Sequence, residues 1–204
     1  MTIEQKELDQ YEQLIQGLID SDYGCIDDFI NIDQVKGLRD NIKLLTTNGQ
    51  MHAAGLGKND NFQKDKRFRG DRIKWLHQPD KDIHEHIFHN KINGFISHLN
   101  KTCYTSITNF ESHYASYEKN SFYKRHLDQF KNDTSRKFSV ILYLNEDWQA
   151  EDGGLLSLYP EGKAQLNIAP IGGRLVFFRS DEMEHEVHPS TTRERISIAG
   201  WMKT

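Results

Sequence analysis

The 204 residues hold 26 Lys and Arg against 30 Asp and Glu, a net charge of −4, with 36% hydrophobic and 27% charged positions. These proportions exclude a disordered, collagen-like or disulfide-scaffold chain, and the mild acidity gives no whole-molecule attraction for nucleic acid or anionic lipid. No run of 18 apolar residues occurs, so no membrane span is expected.

In chain order, Met1 to Gln10 is polar and lacks the apolar stretch of a secretory signal. Leu8, Tyr11, Ile15 and Leu18 recur at helical spacing, as do Val35, Leu38, Ile42 and Leu45, and then Ile83, Ile87, Ile92, Phe95, Ile96 and Leu99. Each set predicts an amphipathic helix. Between the second and third lies a polar stretch from His52 to Arg69, too charged for a core, and then a short strand from Arg72 to Leu76. From Asn109 onward the texture changes to strands. Phe138, Val140, Leu142 and Leu144 alternate with Ser139, Ile141 and Tyr143; Gly153-Gly154 introduces Leu155 to Tyr159; Ala164 to Ala169 follows; Gly172-Gly173 introduces Arg174 to Phe178; Arg195 to Trp201 comes last. The expectation is one α+β domain over 1–204, with 1–105 mainly helical support carrying one or two strands and 106–204 a sandwich or barrel of short strands. Cys25 and Cys103 stand apart with no CxxC pattern; buried free thiols and a cytoplasmic location are expected.

The chemistry starts at His126-Leu-Asp128. Residues i and i+2 of a strand share a side, so an imidazole and a carboxylate can aim at one point. Alone, such a pair more often means a surface strand end. His185, 59 residues later, changes the balance. Two histidines and one carboxylate are the facial donor set of non-haem Fe(II) oxygenases, which leaves positions for a chelating 2-oxoacid and dioxygen. The same donors also suit a zinc hydrolase. A cation ten residues after His185, Arg195, suits the far carboxylate of a dicarboxylic 2-oxoacid and has no evident use in a zinc hydrolase. Arg193 shares its strand face, so spacing leaves both open.

Several ordered motifs narrow the reading: Arg69-Gly-Asp-Arg-Ile-Lys-Trp75, Tyr114-Ala-Ser-Tyr117, Phe122-Tyr-Lys-Arg-His-Leu-Asp128, Tyr143-Leu-Asn-Glu-Asp-Trp148, Gly153-Gly-Leu-Leu, Tyr159-Pro-Glu-Gly-Lys-Ala164, Gly173-Arg-Leu-Val-Phe-Phe178 and His185-Glu-Val187. Over Phe68 to Trp201 the chain resembles the prolyl-4-hydroxylase-type Fe(II)/2-oxoglutarate dioxygenases, in particular the prolyl hydroxylase domain group of oxygen-sensing enzymes and their bacterial relatives. The resemblance implies a double-stranded β-helix, the jelly-roll of cupins, behind supporting N-terminal helices. It implies Fe(II) held by His126, Asp128 and His185, 2-oxoglutarate held by Arg195 and Tyr143 with Tyr117 nearby, O2 as co-substrate and ascorbate in support. It places Tyr123, Arg136 and Trp201 near a target proline, with Asp71 orienting Arg136 by an ion pair. The implied reaction hydroxylates a prolyl residue of a protein partner and releases succinate and CO2; elongation factor Tu is a candidate partner. A small-molecule substrate such as a free amino acid, or a non-catalytic 2-oxoglutarate and metal sensor, is the alternative. The acidic turn Asp181 to Glu184 departs from the oxygen-sensing relatives, and only three residues follow Trp201. The animal enzymes' substrate-holding C-terminal extension is therefore expected to be absent, and substrate identity does not transfer.

Other histidines read as bland. His188 falls on the opposite strand face from His185. His84-Glu-His86 with His89 lacks the zincin pattern, because Phe88 occupies the required position, and reads as solvated histidines on a helix. His113 reads as a strand histidine without a special role. One of Lys124 and Arg125 should face solvent. The basic run Lys64 to Arg69 reads as a solvated loop, which the family would use as a lid over substrate.

Overall fold

The computed structural model describes residues 2–55, 67–77, 82–130 and 132–204. Three helices, α1 (Ile3–Ser21), α2 (Ile32–Thr47) and α3 (Ile83–Cys103), follow the three predicted stripes. Their starts are capped as the local sequence dictates. Thr2 accepts from the Gln5 N–H, Asn31 and Gln34 form a reciprocal capping box, and Asp82 accepts from His84 and Glu85. In α1 the buried face is Tyr11, Leu14 and Ile15, while Leu8 is exposed.

Eleven strands are described: β1 (Tyr23–Ile26), β2 (His52–Ala53), β3 (Arg72–Leu76), β4 (Asn109–Tyr117), β5 (Tyr123–His126), β6 (Arg136–Tyr143), β7 (Leu156–Tyr159), β8 (Leu166–Ile168), β9 (Leu175–Arg179), β10 (Glu184–Val187) and β11 (Arg195–Lys203). They form two antiparallel sheets in the orders β1-β9-β6-β11-β4-β3-β2 and β5-β10-β7-β8. The helical half thus contributes three strands to the large sheet, more than the one or two expected. β1 escaped notice because its four residues include a glycine and show no alternation. That glycine, Gly24, is where α1 crosses: a Cβ there would lie 2.4 Å from the Leu14 carbonyl oxygen.

The large sheet is buried on both faces, and strand alternation divides its residues. Phe138, Val140, Leu142, Leu175, Phe177, Ile196, Ile198 and Met202 face the helices, where Tyr11 stacks on Phe95 and Phe95 meets Phe177 edge-on. Ile141, Tyr143, Val176, Phe178, Ala115 and Tyr117 face the small sheet, with Leu156, Leu158, Met183 and Val187 opposite. This is the expected jelly-roll core behind helices. No helix among the described residues is long and apolar enough to cross a membrane.

Three expectations are corrected here. Both cysteines are exposed, Cys25 on β1 at the edge of the large sheet and Cys103 at the end of α3. His89 is buried and bonded to the Ser112 hydroxyl at 3.1 Å, so only part of the α3 histidine cluster is solvated. Lys124 and Arg125 are both exposed, with Arg125 lying over Tyr159 and paired with Glu184. Most of the predicted polar stretch, 56–66, lies outside the described residues, as do positions 64–66 of the basic run expected to act as a lid.

Candidate active site

The two sheets enclose a pocket of about 280 Å³. Its metal-type donors come from the small sheet. His126 ends β5 and His185 sits directly opposite it on β10. Asp128 lies just past the end of β5, so strand alternation alone does not place it. The Ser139 hydroxyl donates to its Oδ2 at 2.7 Å, and Arg136 Nη1 donates to its backbone carbonyl at 3.1 Å. His126 Nε2 and His185 Nε2 each stand 3.5 Å from an Asp128 oxygen, and the three ligand atoms lie within 4.8 Å of one another. Among the described residues this is the one such cluster.

Both imidazoles are pre-set for metal. His126 Nδ1 donates to the Lys124 carbonyl at 2.6 Å and His185 Nδ1 to the Met183 carbonyl at 3.1 Å, which leaves each Nε2 lone pair turned inward. Tyr123 stacks on His126 at 3.6 Å between centroids. Burial pushes His185 down to about 4 despite the Asp128 charge beside it. Burial would raise Asp128, yet His185, His126 and the Ser139 hydroxyl together hold it well below the usual carboxylate range. At neutral pH His185 is therefore a neutral imidazole and Asp128 a carboxylate, the ionisation states in which these groups bind a divalent cation.

Arg195 opens β11 at the enclosed end of the pocket and is 1% exposed. Its Nε donates to the Gly154 carbonyl at 3.0 Å, while Nη2 has no hydrogen-bond partner. Tyr117 and Tyr143 flank the guanidinium, their ring centroids at 5.1 and 5.0 Å. The Tyr143 hydroxyl is also buried without a partner, and burial pushes it up to about 12, so it stays a donor. No carboxylate of the described residues reaches Arg195. A sealed cation with a free N–H beside a free phenol is costly unless an anion completes it. Arg193, the alternative, points elsewhere: it pairs with Asp152 and lies over Trp148.

At the mouth one expectation fails. Asp71 does not hold Arg136. It pairs with Arg69 through bonds of 2.7 and 2.6 Å, and Arg136 is instead held by Glu111 at 2.9 Å while lying 3.5 Å over the Trp201 ring. Arg69 is not a solvated loop residue; it lies 4.1 Å over the Tyr123 ring, which also stacks on His126 and meets Phe68 edge-on. Sequence reasoning gave no role to Glu111, His113, Trp75 or Ser139, although the first three line the pocket, as does Arg69. His188 bonds to Ser157 and lies outside this lining.

Residues 112–203 match the family model described as the 2OG-Fe(II) oxygenase superfamily. These residues make up a 2OG-Fe(II) oxygenase domain. It is 32% identical to human Egl nine homolog 1 over 181 residues, which is 85% of this chain but only 42% of that protein. Among solved structures, a Pseudomonas putida prolyl-4-hydroxylase superposes with a TM-score of 0.88 at 29% identity, covering 96% of this chain and 100% of that one. A Trichoplax adhaerens prolyl hydroxylase, solved with a hypoxia inducible factor peptide fragment, also gives 0.88, at 26% identity over 98% and 91%. The matched family implies Fe(II), 2-oxoglutarate and O2, and the His126–Asp128–His185 cluster is consistent with iron. The donor set fits the metal, and the orphaned Arg195 and Tyr143 donors fit the distal carboxylate of the 2-oxoacid.

Proposed function

We propose that this chain is an Fe(II)- and 2-oxoglutarate-dependent dioxygenase that hydroxylates a prolyl residue of a protein. The observation that carries the reading is the coincidence, in one pocket, of the His126–Asp128–His185 cluster with a sealed, anion-seeking Arg195. Similarity to prolyl hydroxylases over most of the chain supports the prolyl substrate.

His126 Nε2, an Asp128 oxygen and His185 Nε2 would hold the iron, which supplies O2 activation and oxidation of a C–H bond when bound with 2-oxoglutarate. Ser139 keeps one Asp128 oxygen engaged, which favours the other as ligand. Arg195 and Tyr143 donate to the far carboxylate and fix the co-substrate's orientation, with Tyr117 walling off its flank. Val187, Ile141 and Tyr117 keep that end dry. Tyr123, Arg136, Trp201 and the Arg69–Asp71 pair shape the open side where a proline ring enters. The reading treats 1–105 as support and 106–204 as the unit that carries the chemistry, and its exposed unpaired thiols favour a reducing cytoplasm.

The deciding measurement is succinate release under Fe(II), ascorbate, 2-oxoglutarate and air, comparing a host protein fraction with a desalted small-molecule fraction. Stimulation by the protein fraction, with a +16 Da proline found by mass, is the expected result. Purified elongation factor Tu is the first single protein to add, on family resemblance alone. Stimulation by the small-molecule fraction alone would keep the chemistry and overturn the substrate class. Absence of succinate from iron-loaded protein in every arm would overturn the enzyme reading in favour of a sensor.

A further inference from the structure

His113 occupies the middle of the pocket wall, its Nδ1 with no hydrogen-bond partner among the described residues. The rungs joining β4 to β11 set its depth: Arg195 faces Tyr117, Ser197 faces Ala115, Ala199 faces His113 and Trp201 faces Glu111. Along this ladder His113 stands between the anion-binding end and the mouth. On its other side it faces Trp75 of β3. Its ring lies 5.0 Å from the Trp75 ring and 5.4 Å from the Trp201 ring. It is 3% exposed, and its Nδ1 is buried without a hydrogen bond, as is Trp201 Nε1.

A buried polar atom without a partner costs stability, and an apolar side chain would fill the same slot between two indoles at no such cost. Two of them on one pocket wall read as half of a hydrogen-bonding set whose other half is the ligand. Burial keeps the His113 ring neutral at physiological pH, so it offers one donor and one acceptor; the indole offers one donor. The two guanidiniums on the same side of the pocket, Arg69 and Arg136, are already committed to Asp71 and Glu111. This wall therefore suits a neutral group with both a carbonyl and an N–H, not a free carboxylate. In a prolyl peptide the proline nitrogen bears no hydrogen. The nearest carbonyl and N–H belong to the amide that follows the proline.

We propose that His113 and Trp201 form a subsite for the peptide amide on the C-terminal side of the target proline, which makes His113 a residue that selects peptide over free amino acid. This rests on the prolyl-protein reading above. The test uses acetylated, amidated heptapeptides with a central proline, scored by succinate release, and for each active peptide its depsipeptide, in which an ester replaces the amide after proline. Wild type should prefer amide over ester by about tenfold in KM, the scale of one lost hydrogen bond. In His113→Met the amide KM should rise to the ester's and the preference should vanish, while the 2-oxoglutarate KM stays within twofold. His113→Gln, which restores a donor and an acceptor, should recover part of the preference. An active peptide for which wild type is indifferent to the ester, or for which His113→Met keeps the preference, overturns the subsite and leaves the prolyl reading intact. A rise in the 2-oxoglutarate KM alone reassigns His113 to the co-substrate and overturns it too. Stimulation of wild type by free proline and by no peptide removes the prolyl-protein reading, and the subsite with it.

Discussion

Arg195 is the residue whose chemistry is most exposed to test, because burial leaves it so few partners. Its guanidinium is sealed from water, one nitrogen engaged by Gly154 and another free. An exposed arginine here would lose little on truncation; a buried one facing a carboxylate loses a charge-assisted bond, about 1.5–3 kcal/mol. Arg195→Ala should therefore raise the 2-oxoglutarate requirement at least about tenfold. Tyr143→Phe removes only a neutral donor, about 1 kcal/mol, and should raise it a few-fold. Both are read by titrating 2-oxoglutarate against succinate release. An unchanged requirement in Arg195→Ala, with a raised one in Arg193→Ala, would move the anion site to Arg193. The choice between these two arginines was beyond strand spacing, since they share a face; the register of β11 against β4 and the pairing of Arg193 with Asp152 support Arg195.

At the scale of elements, the turn before β7 belongs to the proposed anion site. Gly154 has a φ of +63°, and a Cβ there would lie 3.0 Å from Trp148 and 3.4 Å from the Arg195 side chain. Gly154→Ala strains the backbone by about 1–3 kcal/mol and pushes on the arginine its own carbonyl orients. The expected result is a lower urea midpoint together with a higher 2-oxoglutarate KM; a loss of stability with an unchanged KM would show the turn to be structural only. Elements with a clear period were legible: three helical stripes and the alternation in β6 each appear where the pattern puts them. The short strands β3, β7, β8 and β9 were legible too, but β1 and β2 were not. β1 has no alternation, and β2 is two residues long. Cross-strand pairings were hidden for the same reason that register is: Glu111 and Arg136 lie 25 residues apart and meet only across the β4–β11–β6 sheet. The Arg69–Asp71 pair is different. Those residues are two apart in extended chain, so same-face geometry already favoured Arg69 over Arg136 as the partner of Asp71.

At the scale of the whole molecule, the large sheet separates an apolar core on the helix side from a face that mixes apolar walls with buried titratable groups. The composition of each strand made this division legible, because even and odd positions of β6 are both apolar and so demand cover on both sides. The protonation of the buried groups was not legible, because it depends on depth. His113 and His185 both fall from the ordinary 6.5 to about 4, in each case chiefly by burial. The folded, metal-free protein therefore keeps both rings neutral at pH values where the unfolded chain protonates them. Unfolding then takes up protons, and stability must rise with pH between about 4 and 6.5 and level off above. Asp128, held low, adds loss of stability in the same direction at still lower pH. Urea midpoints of the metal-free protein should thus fall steadily from pH 7 to pH 5. His113→Gln should flatten that fall by its own share and leave the part due to His185. A midpoint independent of pH over this window, or a slope untouched by His113→Gln, would mean that water reaches these rings and that the pocket is wetter than its geometry shows.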